Sequence, residues 1–225
     1  MPGRPIHLPR PKKLPVVLLA ITVALLPTAG SSAEDGGMNC SDWRLVFNGY
    51  GTAVCNARTV TLSPAVANRA AETHAALATS RTVSVEEGRV TVARATVLTR
   101  AQLRRGGAPN PWEVAWLLWS YRDNDHFYAL ALKPNGWEVS KQNPAYPGKQ
   151  QFLASGSTPA FAVGQAHQVT VRVDTTAPGT MTATIDVDGK HLATVTDTDS
   201  PYCAGAVAAY TEDATVEVTL SPATY

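Results

Sequence analysis

The chain has 225 residues, 44% of them hydrophobic and 16% charged, and its formal net charge at pH 7 is +1. Binding to nucleic acid depends on Lys and Arg side chains that neutralise phosphates, so a near-neutral chain without a basic stripe is not expected to bind nucleic acid. A chain of this length can bury one sizeable hydrophobic core, and we expect a single domain.

The first 33 residues are typical of a secretory signal peptide. Four basic residues, the last of them Lys13, precede an apolar run at 14–27, and the small side chains of Ser31 and Ala33 follow it. The apolar run is shorter than the roughly 20 residues that a membrane-spanning helix needs. We expect cleavage after Ala33 and free extracellular secretion of residues 34–225 with no membrane anchor. The secreted chain then has 15 basic and 18 acidic residues, a net charge of −3.

Three cysteines remain in the expected secreted chain: Cys40, Cys55 and Cys203. Because disulfides persist in an oxidising compartment, we expect one disulfide and one free thiol, and the sequence leaves all three pairings open. No Cys-x-x-Cys motif or Cys/His cluster has the spacing of a metal site, so the cysteines do not indicate one.

The pattern of apolar residues predicts an all-β protein. One short helix is expected at 63–73, where a Ser-Pro start precedes an alanine-rich run. Further along the chain, apolar and polar residues alternate in "GRVTVARATVLT", "HQVTVRVDTT" and "ATVEVTLSP". A period of two is typical of β-strands.

Turn residues connect the predicted strands into hairpins. "RDND" at 122–125 joins a strand at 112–121 to one at 126–133, and Asn135-Gly136 begins the next strand. Asp188-Gly189 supplies the positive backbone angles of a two-residue turn between strands at 181–187 and 190–195. So many short antiparallel strands in one domain predict a two-sheet antiparallel jelly-roll sandwich.

From residue 79 to 220 these elements resemble the concanavalin A-like lectin and glucanase superfamily. The resemblance is carried by the hairpin "YRDNDHFYALAL", the strand "VTVRV", the hairpin "IDVDGKHLATVTD" and the closing "GAVAAYTEDATVEVTL". Within the superfamily it is closest to the laminin G-like and glycoside hydrolase family 16-like secreted members. The resemblance implies two stacked curved sheets, a concave sheet whose cleft binds carbohydrate, and often a structural calcium ion on the convex side.

An aromatic block at 109–139 contains four of the five tryptophans and suggests where a sugar would bind. Alternation along 112–121 predicts two faces, one with Trp112, Val114, Trp116 and Leu118, the other with Glu113, Ala115, Leu117, Trp119 and Tyr121. The first face is wholly apolar and predicts core, whereas the second mixes a carboxylate with aromatic rings, as a partly open cleft does. A register slip of one residue would exchange the faces. We predict a polysaccharide-binding cleft that includes Trp119, Trp137, Tyr121, Lys133, Lys141 and Tyr146.

Tyr146 lies in a long polar segment at 141–159. This segment contains three residues that favour turns and interrupt regular structure: Pro144, Pro147 and Gly148. Long ordered loops in compact domains often have a function, so this segment is a candidate wall of the cleft. A solvated connection between two strands is the alternative.

Two catalytic alternatives stay open, as does a structural domain with no sugar ligand. A retaining glycoside hydrolase needs two carboxylates about 5 Å apart. Glu113 and Glu138 are the available pair, although the Glu-x-Asp-x-x-Glu signature of family 16 is missing. A polysaccharide lyase acting on uronate polymers needs a His or Tyr to move protons and a cation beside the carboxylate. Residues of these types are His126, Tyr128, Lys133, Lys141, Tyr146 and Arg105.

Carboxylates near the closing strands are candidates for the calcium site that the resemblance implies. Asp197 and Asp199 lie in "TDTDSPY", and Glu212 and Asp213 lie in "TEDA". Calcium takes six to eight oxygen ligands, which these residues could supply in part. Solvated turn residues are the alternative interpretation.

Overall fold

Alternating burial, the signature of a strand with one face in a core, recurs through the protein. The strand Met181–Val187 buries every second residue, as does Ala214–Leu220. The computed structural model describes residues 40–221. The predicted signal peptide and its cleavage site lie outside the described residues.

Seven antiparallel strands form sheet one, in the spatial order β1-β4-β13-β6-β7-β8-β9. In chain order they are β1 (Trp43–Phe47), β4 (Ala75–Val85), β6 (Ala115–Asp123), β7 (His126–Lys133), β8 (Gly136–Gln142), β9 (Gln150–Gly156) and β13 (Gly205–Glu212).

Seven further antiparallel strands form sheet two, in the spatial order β12-β11-β10-β5-β14-β3-β2. In chain order they are β2 (Thr52–Asn56), β3 (Thr59–Ser63), β5 (Val90–Gln102), β10 (Ala166–Asp174), β11 (Met181–Val187), β12 (Lys190–Asp197) and β14 (Ala214–Leu220). The two sheets stack as an all-β jelly-roll sandwich, which confirms the predicted fold class.

The main core lies between the two sheets. Sheet two contributes valines that alternate along β10 and β14, such as Val171 and Val218, and sheet one contributes larger side chains, such as Trp43 and Trp119. Burying large apolar side chains of this kind stabilises a fold by about 1.5–3 kcal/mol each. In the described part of the chain, no helix is long and apolar enough to cross a membrane.

The predicted hairpins are present. Asp188 and Gly189 have positive φ angles, 52° and 74°, between β11 and β12. Asn124 and Asp125 connect β6 to β7, and β8 begins at Gly136. These turns could be predicted because their chemistry is local.

The helix expected at 63–73 is wrong, because side chains bind the backbone groups that a helix would pair internally. The amides of Asn68 and Arg69 donate to the Glu72 carboxylate, at 2.6 and 3.2 Å. The carbonyls of Arg69 and Ala70 accept hydrogen bonds from Arg104. After β3 ends at Ser63, the segment therefore runs irregularly to β4.

About half of the polar segment at 141–159 belongs to strands. Strand β8 extends to Gln142 and β9 starts at Gln150, so a short connection remains between them. Its ends are joined because the Asn143 amide donates to the Lys149 carbonyl at 2.7 Å. The alternative interpretation, a connection between two strands, is the one that the structure shows.

The structure selects one of the three cysteine pairings. Cys40 and Cys55 form a disulfide, with Cα atoms 6.2 Å apart, and Cys203 is a buried free thiol. The expectation of one disulfide and one free thiol is confirmed for these residues. The disulfide links the start of the described chain covalently to β2.

Candidate functional site

The predicted faces of the aromatic strand are exchanged in the structure. Trp119 and Leu117 pack in the core between the sheets, and Trp119 is only 1% exposed. Trp116 and Leu118 belong to a second apolar cluster made of residues from sheet one and from the segment just before β6, with none from sheet two. This second cluster lies on the face of sheet one that points away from sheet two, here called the outer face. The prediction that Trp119 lines a binding surface is therefore wrong.

A β-bulge at Ser120 sends Tyr121 to the outer face. Two residues of β6, Trp119 and Ser120, lie opposite the single residue Val207 of β13. Ser120 has a positive φ of 50°. A bulge inserts one extra residue into a strand and so reverses the alternation beyond it. Tyr121 consequently joins the outer-face cluster and does not share a face with Trp119.

One row of directly paired residues crosses the outer face from edge to edge, and we call it the central row. Its members, one from each strand of sheet one, are Arg44, Thr79, Ala208, Leu118, Ala129, Ser140 and Phe152. The five inner members are buried and mostly small. Phe152, on the edge strand β9, is 58% exposed. The row thus consists of mostly small, buried side chains, with an exposed cation at one end and an exposed ring at the other.

Aromatic side chains flank the central row on both sides. On one side, the rings of Trp116 and Tyr210 meet edge to face with centroids 5.5 Å apart. On the other side, the rings of Tyr121 and Phe127 stack with centroids 6.0 Å apart. Aromatic rings can pack against the C–H faces of a sugar, and polar side chains such as Thr79 and Ser140 of the row can bind its hydroxyls.

A groove of about 380 Å³ opens where the central row reaches β1 and β4. We call it the arginine groove, and its lining residues are Arg44, Thr79, Ser80, Arg81, Tyr121, Arg122 and Ala206. Its volume falls within the range of about 300–1,000 Å³ that is typical of ligand pockets. Tyr121 is the one predicted binding residue in it.

Lys141 and Tyr128 are buried in the sandwich interior. The Tyr128 hydroxyl donates to Oδ2 of Asp197 at 2.5 Å and accepts from the Tyr202 amide at 3.0 Å. Burial, reinforced by the hydrogen bond to Asp197, raises the pKa of Tyr128 far above its ordinary value of 10. The roles predicted for Lys141 in binding and for Tyr128 in proton transfer are wrong, because neither side chain reaches the outer face.

His126 lies at the rim beside the same network. Its Nδ1 lies 2.7 Å from Oδ1 of Asp123, and its ring meets Tyr202 edge to face at 5.5 Å. It shares the inward direction of Tyr128, two residues along β7. Arg105, the predicted alternative cation, is exposed in the connection between β5 and β6. The lyase hypothesis based on His126 and Tyr128 is therefore wrong.

The two carboxylates proposed for a glycosidase are bound to different cations. Arg104 Nε lies 2.5 Å from Oε1 of Glu113, and both side chains are buried. Glu138 faces outward, in register with Ala131 of β7, and forms an ion pair with Lys133. Because Glu113 is 0% exposed, a glycan cannot reach it, and the glycosidase hypothesis based on Glu113 and Glu138 is wrong.

The remaining predicted binding residues are divided between the interior and the surface. Trp137 packs in the core, and its indole N–H donates to the Thr158 carbonyl at 3.1 Å. Its predicted place on a binding surface is wrong. Tyr146 is exposed in the connection between β8 and β9, and Lys133 lies at the edge of the outer face, so their roles in binding stay predictions.

Three of the four carboxylates expected to bind calcium have side-chain partners in the protein. Asp197 pairs with Lys141, and the neighbouring Asp199 is exposed. Asp213 pairs with Arg104 at 2.7 Å, and Glu212 accepts a hydrogen bond from the Tyr210 hydroxyl at 2.6 Å. Among residues 40–221, no group of three or more His, Cys, Asp and Glu side chains is placed to hold a metal ion. These carboxylates do not fit a calcium site.

Sequence reasoning missed the three arginines of the groove and the exposed ring of Phe152. Arg44, Arg81 and Arg122 come from β1, β4 and β6, and no spacing in the sequence connects them. Arg44 also precedes the part of the chain that carries the family resemblance. A signal for Phe152 did exist, because it interrupts a polar stretch with a large apolar side chain.

No protein-family model matches the sequence, and no curated protein matches it. Solved structures do share the fold. The carbohydrate-binding module CBM66 from Bacillus subtilis superposes with a TM-score of 0.54 over 83% of this chain and 98% of its own, at 13% identity. The carbohydrate recognition domain of Emp46p, in a metal-free form, superposes with a TM-score of 0.50 over 80% of this chain and 88% of its own, at 9% identity.

The chain has the concanavalin A-like jelly-roll fold. At these identities the similarity concerns the fold, which by itself does not determine a function. The family resemblance of the hairpins is thus confirmed for the architecture. The function has to be argued from the outer face.

Proposed function

We propose that this protein is secreted and binds an extracellular polysaccharide along the central row of the outer face. The observation that carries the proposal is the row itself: small side chains flanked by aromatic rings, with an exposed phenylalanine at one end and an exposed arginine at the other. Sugar-binding sites combine aromatic rings for C–H faces with polar groups for hydroxyls. Two structural neighbours are named for carbohydrate binding or recognition, which supports the same ligand class.

The proposal is a binding function without catalysis. Tyr128 is buried, and Glu113 and Glu138 are each neutralised by a cation. A calcium ion is not included, because Asp197 and Asp213 are paired with protein cations.

The test uses the full chain, expressed with its leader in a secreting host and collected from the medium. N-terminal sequencing should place the new terminus at Glu34. An array of neutral and acidic polysaccharides then identifies ligands, and calorimetry measures their affinity. Reducing ends and unsaturated products, assayed in the same samples, should not accumulate.

A matched pair of exposed aromatic residues locates the site. Phe152 ends the central row, whereas Tyr50, 80% exposed, lies in the connection between β1 and β2. Phe152→Ala should weaken binding about tenfold, by analogy with the roughly 0.5–1.5 kcal/mol that an aromatic contact contributes beyond its buried area. Tyr50→Ala should leave the affinity unchanged. Equal affinities for both variants, or no polysaccharide bound by the parent protein, would refute the proposal.

A further inference from the structure

We infer that the polysaccharide is anionic, and that the arginine groove binds a carboxylate or sulfate group on one of its sugars. This inference rests on the proposed function, because it names the class of ligand that the outer face takes. The groove lies at the β1–β4 end of the central row and shares Arg44 and Thr79 with it. A chain lying along the row would therefore place one sugar in the groove.

Three arginine residues line this groove, and none of them has a carboxylate partner among the described residues. Among the described residues, neither Arg44 nor Arg81 nor Arg122 forms an ion pair, and all three are exposed. Some other arginines of the described chain have acidic partners: Arg100 pairs with Glu217, and Arg104 pairs with Glu113. Unpaired positive charges that converge on one groove favour an anionic ligand.

Two of the arginines are held in place by the backbone. Arg81 donates from Nε to the Trp43 carbonyl at 3.2 Å, and Arg122 donates from Nε to the Ala204 carbonyl at 3.2 Å. Their terminal nitrogens donate to no described residue, so the ends of both forks are available. A guanidinium fork binds carboxylate and sulfate-like oxyanions through two parallel hydrogen bonds. Anchoring the fork beforehand lowers the entropy lost on binding.

Arg122 is also held by an aromatic ring. Its guanidinium carbon lies 5.3 Å from the centre of the Tyr202 ring, a cation–π distance. The adjacent carboxylate in sequence, Asp123, does not neutralise Arg122, because it binds His126 and the Asp125 amide. Tyr121 supplies a ring in the same groove, beside which a sugar could lie.

The secreted chain is expected to be slightly acidic, with a net charge of −3 from its 15 basic and 18 acidic residues. Attraction of a polyanion to the whole surface is therefore not expected, and binding should depend on the groove. Because exposed charges are screened by salt, the affinity should fall as ionic strength rises.

Matched polymers test the inference. Polygalacturonate is compared with its fully methyl-esterified form, which has the same backbone without charge, and dextran sulfate is compared with dextran. The full secreted chain should bind at least one charged polymer about tenfold or more tightly than its neutral partner, since hydrogen bonds to a charged group are stronger than those to a neutral one. The two pairs show whether carboxylate or sulfate is the preferred group.

Arginine variants connect this preference to the groove. Arg44→Gln, Arg81→Gln and Arg122→Gln should each weaken binding of the charged polymer more than binding of its neutral partner. Arg58→Gln, the same charge change in the exposed connection between β2 and β3, should have no effect on either. Arg122→Lys keeps the charge and removes the fork, so it should recover only part of the affinity. Thermal melts confirm that each variant is folded.

The outcomes separate the two proposals. Equal affinity for charged and neutral polymers, unaffected by the arginine variants but lowered by Phe152→Ala, would overturn the anionic inference and leave the proposed function standing. No affinity for any polymer would overturn both. Self-association that is lost in the arginine variants, without glycan binding, would show that a second copy of the chain occupies the groove and would also overturn the inference.

Discussion

Lys141 Nζ lies 2.8 Å from Oδ2 of Asp197, and both side chains are buried between the sheets. The ammonium group also donates to the carbonyls of Asp199 and Ser200, at 2.6 and 3.1 Å, and lies 4.7 Å from the centre of the Tyr202 ring. Oxygen atoms that converge on a cation resemble the ligands of a metal ion. Here the ammonium group of Lys141, from β8, takes the place of such an ion and binds the oxygen atoms at the end of β12 and just after it.

Breaking this ion pair should strongly destabilise the protein. Lys141→Met leaves Asp197 buried without its cation, and we expect the free energy of unfolding to fall by about 3–5 kcal/mol. Urea denaturation measures the change. Lys149→Met, at an exposed position in the connection after β8, is the control and should change it by less than about 0.5 kcal/mol. Adding Asp197→Asn to Lys141→Met should recover part of the loss, and a Lys141→Met variant as stable as the control would contradict this account.

Two tryptophans of β6 should differ in what they contribute. Trp119 packs between the sheets, so Trp119→Ala should cost about 3–5 kcal/mol of stability. Trp116 contacts only the outer-face cluster, so Trp116→Ala should cost less and should also weaken polysaccharide binding. Denaturation and calorimetry on the same two variants measure both effects. If Trp116→Ala proved the more destabilising of the two, the assignment of faces would be wrong.

The pH dependence of stability should include a contribution from Glu212. Burial raises the pKa of its carboxyl above the ordinary 4.5, opposed by the Tyr210 hydrogen bond and reinforced by the Asp213 charge. A pKa raised by folding stabilises the folded state below the unfolded pKa, and this stability is lost as pH rises through the folded pKa. Glu212→Gln, neutral at every pH, should therefore melt higher than the parent near neutral pH.

The control for this prediction is Glu86→Gln, which removes a half-exposed carboxylate. The advantage of Glu212→Gln over the parent should shrink as pH falls towards 4.5, whereas Glu86→Gln should follow the parent throughout. A Glu212→Gln variant that melts lower than the parent at neutral pH would show that the carboxylate is stabilising there.

The cysteines should give a thiol count that changes on unfolding. Cys203 is buried, and burial raises the pKa of its thiol, so it should react slowly in the folded protein and once per chain in denaturant. Replacing Cys40 and Cys55 by serine should cost about 3 kcal/mol, because their disulfide closes a loop of about 15 residues. Three reactive thiols in the denatured, unreduced protein would exclude the disulfide.

Much of the fold could be predicted from the sequence because its signals are local. Alternation along β10 and β14 and the Asp188-Gly189 turn each depend on a few adjacent residues. The prediction of a helix at 63–73 failed because the contacts that decide this segment are not local. Its backbone partner Arg104 is distant in the sequence, so local helix signals could not reveal it.

The candidate site was harder to predict, because sheet one is apolar on both faces. Every residue from Ala115 to Tyr121 is buried, so alternation shows that two faces exist without showing which one points to the core. The bulge at Ser120 then moves Tyr121 to the opposite face from Trp119. Arg44 and Phe152 belong to one row only through the order of seven strands.

The most direct test maps where the polysaccharide binds. Fragments of the best ligand from the array are titrated into the ¹⁵N-labelled secreted chain, and chemical shifts of the backbone amides are followed by NMR. We predict that the largest changes fall on the central row, from Thr79 through Leu118 to Phe152, and spare β10, β11 and β12 in sheet two. Changes confined to sheet two, with the central row unaffected, would contradict binding on the outer face of sheet one.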